Sequence, residues 1–138
     1  MKVLVTGGSG MVGQNIKNLC KFREYTDFVF LSSKDCDLTN REQTLKYFGA
    51  HNFDYIIHLA ANVGGLFKNM EQNIEMFSSN IKINENVLEA CFKNNINRGI
   101  FVLSSCIYPP EPNHFPMDET MIHEGPPHSS NEGYAYAK

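Results

Sequence analysis

The sequence predicts a doubly wound α/β fold, in which helices cover both faces of a parallel β-sheet. Short, continuously apolar runs, as found in buried parallel strands, alternate along the chain with longer segments of helical periodicity. A glycine-rich turn stands directly between the first apolar run and the first helical segment. With 138 residues, a hydrophobic fraction of 42% and a charged fraction of 20%, we expect one globular domain over 1–138.

The predicted elements alternate in type along the chain. The predicted strands lie at 2–6, 28–31, 54–59 and 99–104, and the predicted helices lie at 11–20, 41–48, 73–94 and from about 131 onward. We expect Thr39 or Asn40 to cap the second helix. Parallel strands joined by right-handed helical crossovers form the doubly wound sheet known as the Rossmann fold.

The predicted helix at 73–94 is amphipathic. We expect its apolar side chains at helical spacing to face the sheet, and these are Ile74, Phe77, Ile81, Val87, Leu88 and Cys91.

A long loop follows the fourth predicted strand. The stretch 109–130 is rich in Pro, His and Asn, and long loops in compact domains are often functional or mobile. The next helix has only begun at Lys138, and the fourth strand would be left as an exposed edge. We therefore expect a chain truncated before the substrate domain of a longer protein.

Composition argues against several classes of protein. A net charge of -3 offers no basic surface for nucleic acid, and the four cysteines form no Cys-x-x-Cys pair, which favours a reducing cytoplasmic location. The first apolar run ends at Gly7, too early for a signal peptide or a membrane span, so no membrane role is expected. We expect His58 to lie in the core. His114, His123 and His128 are irregularly spaced, so we expect them at the surface and not as ligands of a metal ion.

The turn after the first strand predicts a dinucleotide-binding site. Glycines at intervals of three permit a tight turn, close approach of a pyrophosphate to the backbone, and close packing of the helix on the sheet. The free N–H groups at the start of the helix attract the anion. Ordinary loops also contain glycine triplets, but the position of this one before a helix favours a cofactor. The predicted cofactor-binding residues here are Gly7, Ser9, Gly10, Met11, Val12 and Gly13.

The residues after the second strand favour NADP(H). A NAD-selective site places an acidic residue about 20 positions beyond the glycines, where it binds the ribose 2′-hydroxyl. Ser32, Ser33 and Lys34 stand there instead, and a hydroxyl with an ammonium suits a 2′-phosphate. Alternatively, Lys34 is a solvated surface lysine. Asp37, followed by Leu38, is placed where its carboxylate would reach the adenine amino group.

Small residues follow the third strand. Leu59, Ala60 and Ala61 would let the cofactor pass close to the backbone, although a tight strand end without any ligand would also explain them.

Four residues form the predicted catalytic group. Tyr134 and Lys138 lie four positions apart and share a helical face. The ammonium would stabilise the phenolate, so that the tyrosine could donate and accept a proton near neutral pH. Ser104 and Cys106 would point the same way if the strand stays extended through Cys106. The carboxyl ends of parallel strands line the ligand crevice, where we expect the thiol, the phenol and the glycine turn to meet. Alternatively, Tyr134 is a partly buried tyrosine beside a surface lysine.

These motifs resemble the extended, sugar-nucleotide-modifying branch of the short-chain dehydrogenase/reductase superfamily over the whole chain. The stretches with the more specific resemblance are 60–65 (AANVGG), 103–109 (LSSCIYP), 118–119 (DE) and 125–128 (GPPH). They are similar to the GDP-L-fucose synthase family, also called GDP-4-keto-6-deoxy-D-mannose 3,5-epimerase/4-reductases.

The resemblance implies a chemistry for each of the four residues. In that family the residues matching Ser104 and Tyr134 hold the substrate oxygen, and the residue matching Cys106 removes the protons at C3 and C5. NADPH then reduces the C4 ketone, with Tyr134 as proton donor and Lys138 beside it. In that family a histidine acts as the acid opposite the base at the position of Cys106. This histidine and most of the substrate domain lie beyond the position of Lys138, so we expect the isolated 138 residues to be inactive. The resemblance also implies a homodimer of the full-length protein, with the helix at 73–94 as a candidate interface.

Two alternatives remain open from the sequence. The first is a NAD-dependent 4-epimerase or 4,6-dehydratase of nucleotide sugars, against which Lys34 and Cys106 argue. The second is a non-catalytic dinucleotide-binding module, which would not need the pair of Tyr134 and Lys138.

Overall fold

The computed structural model describes all residues from Met1 to Lys138, and it confirms the predicted α/β class. In chain order the elements are β1 Val3–Thr6, α1 Met11–Phe22, β2 Phe28–Leu31, α2 Arg41–Gly49, β3 Tyr55–His58, α3 Leu66–Glu71, α4 Asn73–Lys93, β4 Gly99–Phe101 and α5 Glu132–Ala137. Short 3-10 helices cover Ser105–Ile107, Glu119–His123 and Ser129–Asn131. Every predicted helix and strand is present, and α3 is a helix that was not predicted.

The four strands form one parallel sheet in the order β2-β1-β3-β4. β1 lies between β2 and β3, with Val5 opposite both Phe30 and Ile57. β1 is buried along its whole length, as expected for a central strand covered on both faces. β4 is shorter than the predicted 99–104, and all three of its residues are exposed.

The chain divides into two compact units. The first comprises Met1–Ala61 and Lys82–Val102, and the second comprises Asn62–Ile81 and Leu103–Lys138. The first unit contains the whole sheet and its hydrophobic core, in which Leu4 and Ile56 from the strands pack with Phe48 of α2 and Val87 of α4. Asn40 caps α2, since its side chain accepts a hydrogen bond from the backbone N–H of Gln43.

The predicted buried face of α4 is wrong for four of its six residues. Val87 and Cys91 are buried, but Ile74 is 85% exposed, Leu88 is 54% exposed, and Phe77 and Ile81 are also exposed. The buried residues of α4 are Met76, Asn80, Ile83, Asn86, Val87, Ala90 and Cys91. Apolar spacing alone did not identify this face because the helix carries two apolar stripes and the buried one includes two asparagines.

No helix combines the length and the apolar content that a membrane crossing would require.

Removal of the Phe48 side chain tests the core. Phe48 is fully buried, so Phe48→Ala should lower the free energy of unfolding by about 3–5 kcal/mol through lost burial and a residual cavity. Phe22→Ala is the matched control, because Phe22 is 80% exposed and its loss should change stability by no more than about 0.5 kcal/mol. Denaturant unfolding of both variants measures the difference, and equal effects would contradict this description of the core.

Candidate functional site

The glycine turn joins β1 to α1 in the first unit. Gly7 has a positive φ of 68°, and its carbonyl accepts the N–H of Gly10 at 2.9 Å, which closes the turn. A Cβ at Gly7 would lie 2.9 Å from the backbone N of Ala60, so this close approach also requires glycine. A Cβ at Gly13 would lie 2.7 Å from the Cα of Gly8, which is why α1 packs so closely on the turn.

The start of α1 has the properties of an anion site. The N-cap residue is Gly10, which has no side chain to cap the helix, and the first turn contains no acidic residue. Ser9, Gly10, Met11 and Val12 are all exposed. A Cβ at Gly10 would lie 3.2 Å from the carbonyl oxygen of Gly7, a tight contact, and would meet no other atom within 4 Å. Uncapped helix N–H groups beside this open backbone fit the pyrophosphate of a dinucleotide.

The loop after β2 contains a carboxylate that the sequence analysis overlooked. Asp35 Oδ2 accepts hydrogen bonds from the backbone N and the Oγ of Ser32, at 3.0 and 2.5 Å. These bonds, led by the hydroxyl, lower the pKa of Asp35, and the charge of Lys34 lowers it further. Ser33 and Lys34 are both exposed. The loop therefore offers a fixed negative charge as well as the expected ammonium.

Asp37 and Leu38 have structural partners within the first unit. Asp37 Oδ1 accepts hydrogen bonds from the N and Oγ1 of Thr39, at 2.9 and 2.7 Å. The Leu38 side chain lies in the hydrophobic core, and its carbonyl accepts a hydrogen bond from Asn86 Nδ2 at 2.8 Å. A contact of Leu38 with a cofactor would therefore have to come from its backbone.

Thr6 fixes the backbone after β3. Its Oγ1 accepts hydrogen bonds from the backbone N–H groups of Leu59 and Ala60, both at 3.2 Å, and lies 2.7 Å from Nδ1 of His58. His58 is 2% exposed, so its predicted place in the core is confirmed. Leu59, Ala60 and Ala61 are half-buried. This role of Thr6 was not predicted, because a lone threonine at a strand end belongs to no motif.

Ser104 and Cys106 lie in the second unit, but the expected geometry is wrong. The extended conformation does not continue through Cys106, since Ser105–Ile107 forms a 3-10 helix. Ser104 is its N-cap, and its Oγ accepts the backbone N–H of Cys106 at 3.3 Å. Serine hydroxyls commonly compete with the strand ladder for nearby N–H groups in this way. Both residues are half-buried.

Tyr134 lies on α5, where a helix was predicted, and the phenol is close enough to Ser104 and Cys106 to respond to both. Burial raises the pKa of Tyr134, the Ser104 hydroxyl lowers it, and Cys106 raises it. Lys138 ends α5 four residues later, is half-buried, and burial lowers its pKa. The pKa of Tyr134 is therefore raised and not lowered as expected, and Lys138 is not among the groups that shift it.

A polar network in the second unit holds the loop that follows Ala61. Asn62 N donates to Asn80 Oδ1 at 2.8 Å, and Asn80 Nδ2 returns a bond to the Asn62 carbonyl at 2.9 Å. Lys68 Nζ donates to Asn62 Oδ1 at 2.8 Å. Asn80 is 1% exposed, so this loop is anchored by a fully buried amide that the sequence analysis assigned no role.

The loop histidines lie at the surface as predicted. His114 and His128 are exposed, with His114 Nε2 3.4 Å from Asp118 Oδ2 and His128 Nδ1 2.8 Å from Ser130 Oγ. His123 is exposed as well. No group of three or more His, Cys, Asp or Glu side chains is arranged to hold a metal ion.

Comparison with known proteins confirms the resemblance to GDP-L-fucose synthases. The chain is 52% identical to GDP-L-fucose synthase from Dictyostelium discoideum and 45% identical to a probable GDP-L-fucose synthase from Drosophila melanogaster, over 99% of the chain in each case. It spans 43% of the length of each of these relatives. A crystal structure of a GDP-L-fucose synthetase from Naegleria fowleri bound to NADP is 41% identical, with a TM-score of 0.88, and the match covers 99% of this chain and 44% of that one.

The family assignment rests on a match over almost the whole chain. The model of the NAD dependent epimerase/dehydratase family matches residues 3–138, which include the glycine turn and all four predicted catalytic residues. The chain therefore belongs to the NAD dependent epimerase/dehydratase family.

Proposed function

We propose that the complete protein binds NADPH and converts GDP-4-keto-6-deoxy-D-mannose to GDP-L-fucose by 3,5-epimerisation and 4-reduction. The observation that carries the proposal is the grouping of a phenol, a hydroxyl and a thiol in the second unit, where the pKa of Tyr134 responds to both Ser104 and Cys106. The identity with GDP-L-fucose synthases supports the choice of substrate.

The epimerisation uses the acidity of protons beside a ketone. The 4-ketone acidifies the hydrogens on C3 and C5, and Cys106 removes them as a thiolate while Ser104 and Tyr134 donate hydrogen bonds to the enolate oxygen. A histidine outside this chain returns the proton from the opposite face. The proton acceptor in this step is the thiolate, because a neutral thiol is a poor base.

The reduction uses the same phenol as a proton donor. NADPH, when bound, supplies the hydride that reduces the C4 ketone. Tyr134 donates its proton to the ketone oxygen, and Lys138 stabilises the phenolate that remains. Burial raises the pKa of Tyr134 and so makes the phenol a weaker acid, which is why the proposed step needs the ammonium of Lys138 close to the phenolate that forms.

The glycine turn and the loops beside it would hold the cofactor. The start of α1, from Ser9 to Gly13, binds the pyrophosphate through backbone N–H groups. Ser33 and Lys34 bind the 2′-phosphate, Asp37 and the backbone of Leu38 contact the adenine, and the stretch 59–61 borders the nicotinamide ribose. This assignment is supported by the open backbone at Gly10 and the exposed ammonium of Lys34.

The exposed stripe of α4 supports a homodimer of the complete protein. Ile74, Phe77, Ile81, Leu88 and Phe92 lie on one side of the helix and are exposed. We infer that a second copy covers them, as in other members of the superfamily. All four cysteines are free, which agrees with a cytoplasmic location.

One observation favours a second candidate function. Asp35 places a carboxylate with a lowered pKa in the loop after β2, where a NAD-selective site has an acidic residue. A NAD-dependent 4-epimerase or 4,6-dehydratase of nucleotide sugars is therefore the alternative.

Cys106→Ser tests the proposed chemistry in the complete protein. Since the variant lacks the base, exchange of the C3 and C5 hydrogens with solvent deuterium should fall by about 100-fold or more, while NADPH oxidation by the ketone falls much less. Ser105→Ala, at the exposed neighbouring position, is the matched control and should retain both activities. An equal loss of exchange and reduction in Cys106→Ser would contradict the role of Cys106.

Thiol labelling tests the accessibility of Cys106. Burial raises the pKa of Cys36, and it raises the pKa of Cys91 to about 11, so at pH 8 only about 0.1% of Cys91 is thiolate. Iodoacetamide at pH 8 should therefore modify Cys106, which is half-buried, at least about tenfold faster than either. Peptide mass spectrometry measures the rates, and equally fast labelling of Cys91 would contradict the prediction.

Lys34→Glu tests the cofactor preference. Replacing the ammonium by a carboxylate should raise the Kd for NADPH about tenfold through repulsion of the 2′-phosphate, and should change the Kd for NADH little. Lys46→Glu, an exposed lysine on α2, is the control for net charge. Cofactor fluorescence titration measures both constants. Tighter binding of NADH than NADPH by the unsubstituted protein would favour the alternative function.

A further inference from the structure

The helix that carries Tyr134 lacks a cap of its own. α5 has only six residues, Glu132–Ala137, and helices of this length are not stable in water by themselves. Its N-cap residue, Asn131, makes no side-chain hydrogen bond to the first turn, and its Oδ1 is buried without a partner. The N–H groups of the first turn therefore need an acceptor from elsewhere in the chain.

Asn73, the first residue of α4, provides that acceptor. The backbone N–H of Gly133 donates to Asn73 Oδ1 at 2.6 Å, across 60 positions of sequence. This is the bond that the side chain of a local N-cap residue normally accepts from the second residue of a helix. Asn73 thus caps α5 from a neighbouring helix.

Gly133 makes this contact possible. A Cβ at Gly133 would overlap both the Oδ1 and the carbonyl oxygen of Asn73, and Gly133 is buried. The absence of a side chain brings the backbone of α5 into direct contact with the start of α4. Tyr134 is the next residue, so the same contact fixes the backbone from which the phenol projects.

We propose that Asn73 is a positioning residue for Tyr134, because its Oδ1 caps α5 through the Gly133 N–H and thereby sets the position of the phenol beside Ser104. The kinetic consequence rests on the proposed function, in which Tyr134 is the proton donor. A displacement of a catalytic group by about 1 Å costs on the order of 100-fold in rate, so one interhelical hydrogen bond is enough to matter.

Amide exchange tests the cap without reference to any activity. In the complete protein, Asn73→Ala should increase the hydrogen-exchange rate of the Gly133 amide at least about tenfold, since its acceptor is gone. Asn73→Asp keeps an oxygen in the same place and should keep the protection. Asn94→Ala is the matched control, because Asn94 follows the other end of α4 and its Nδ2 donates to the carbonyl of Ala90 in that helix. Unchanged exchange at Gly133 in Asn73→Ala would overturn the proposal.

Kinetics separate positioning from a general loss of structure. Asn73→Ala should lower kcat by about 10- to 100-fold with KM for the nucleotide sugar and the thermal midpoint little changed, and Asn73→Asp should restore kcat. An unchanged kcat in Asn73→Ala would overturn the positioning role. The role would also be overturned if Asn73→Ala and Asn73→Asp lowered kcat, raised KM and lowered the thermal midpoint to the same extent.

Gly133→Ala gives an independent route to the same bond. The added methyl group should displace Asn73 and lower kcat to a similar extent, and the double variant should be no slower than the worse single one, because both changes break one contact. If the losses of kcat in Asn73→Ala and Gly133→Ala add fully in the double variant, the proposal is overturned. If the unsubstituted protein fails to convert the nucleotide sugar at all, the proposed function fails, and the exchange measurements still decide whether Asn73 caps α5.

Discussion

A single hydroxyl group holds together the carboxyl ends of the two central strands. Thr6 Oγ1 accepts the backbone N–H groups of both Leu59 and Ala60, and the threonine is fully buried. A buried N–H without a partner costs about 1–3 kcal/mol, and here one oxygen satisfies two of them. The backbone that we propose for the cofactor therefore depends on a residue one position before the glycine turn.

The bonds of Thr6 also determine the protonation of His58. Because Thr6 Oγ1 accepts from two amides, its own hydrogen is directed at Nδ1 of His58, 2.7 Å away, and Nδ1 must be the acceptor. The ring hydrogen then lies on Nε2, which donates to Asn84 Oδ1 at 3.2 Å. With this tautomer both ring nitrogens have hydrogen-bond partners, which explains how a histidine tolerates burial beside the glycine turn.

The sequence predicts the order of the elements well because that order depends on local signals. β2 has the predicted bounds, because polar residues on either side of a short apolar run mark where the buried strand begins and ends. The glycine turn is predicted for a similar reason, because tight turns restrict residue type directly. Those signals do not extend to the polar residues Thr6, Asn73 and Asn80. Their partners lie 18 to 60 positions away, and no periodic pattern marks a polar side chain that is bonded across the fold.

Ser104 illustrates why the local geometry of a site needs the structure. Its hydroxyl was expected at the end of a strand, but it caps a 3-10 helix by accepting the N–H of Cys106. A hydroxyl that accepts through one lone pair still has its hydrogen to donate, so the cap directs the donor capacity of Ser104 elsewhere. The lowering effect of Ser104 on the pKa of Tyr134 agrees with donation to the phenol oxygen, because such a bond favours the phenolate. The Ser104 hydroxyl therefore caps the 3-10 helix through a lone pair and keeps its hydrogen for the phenol oxygen.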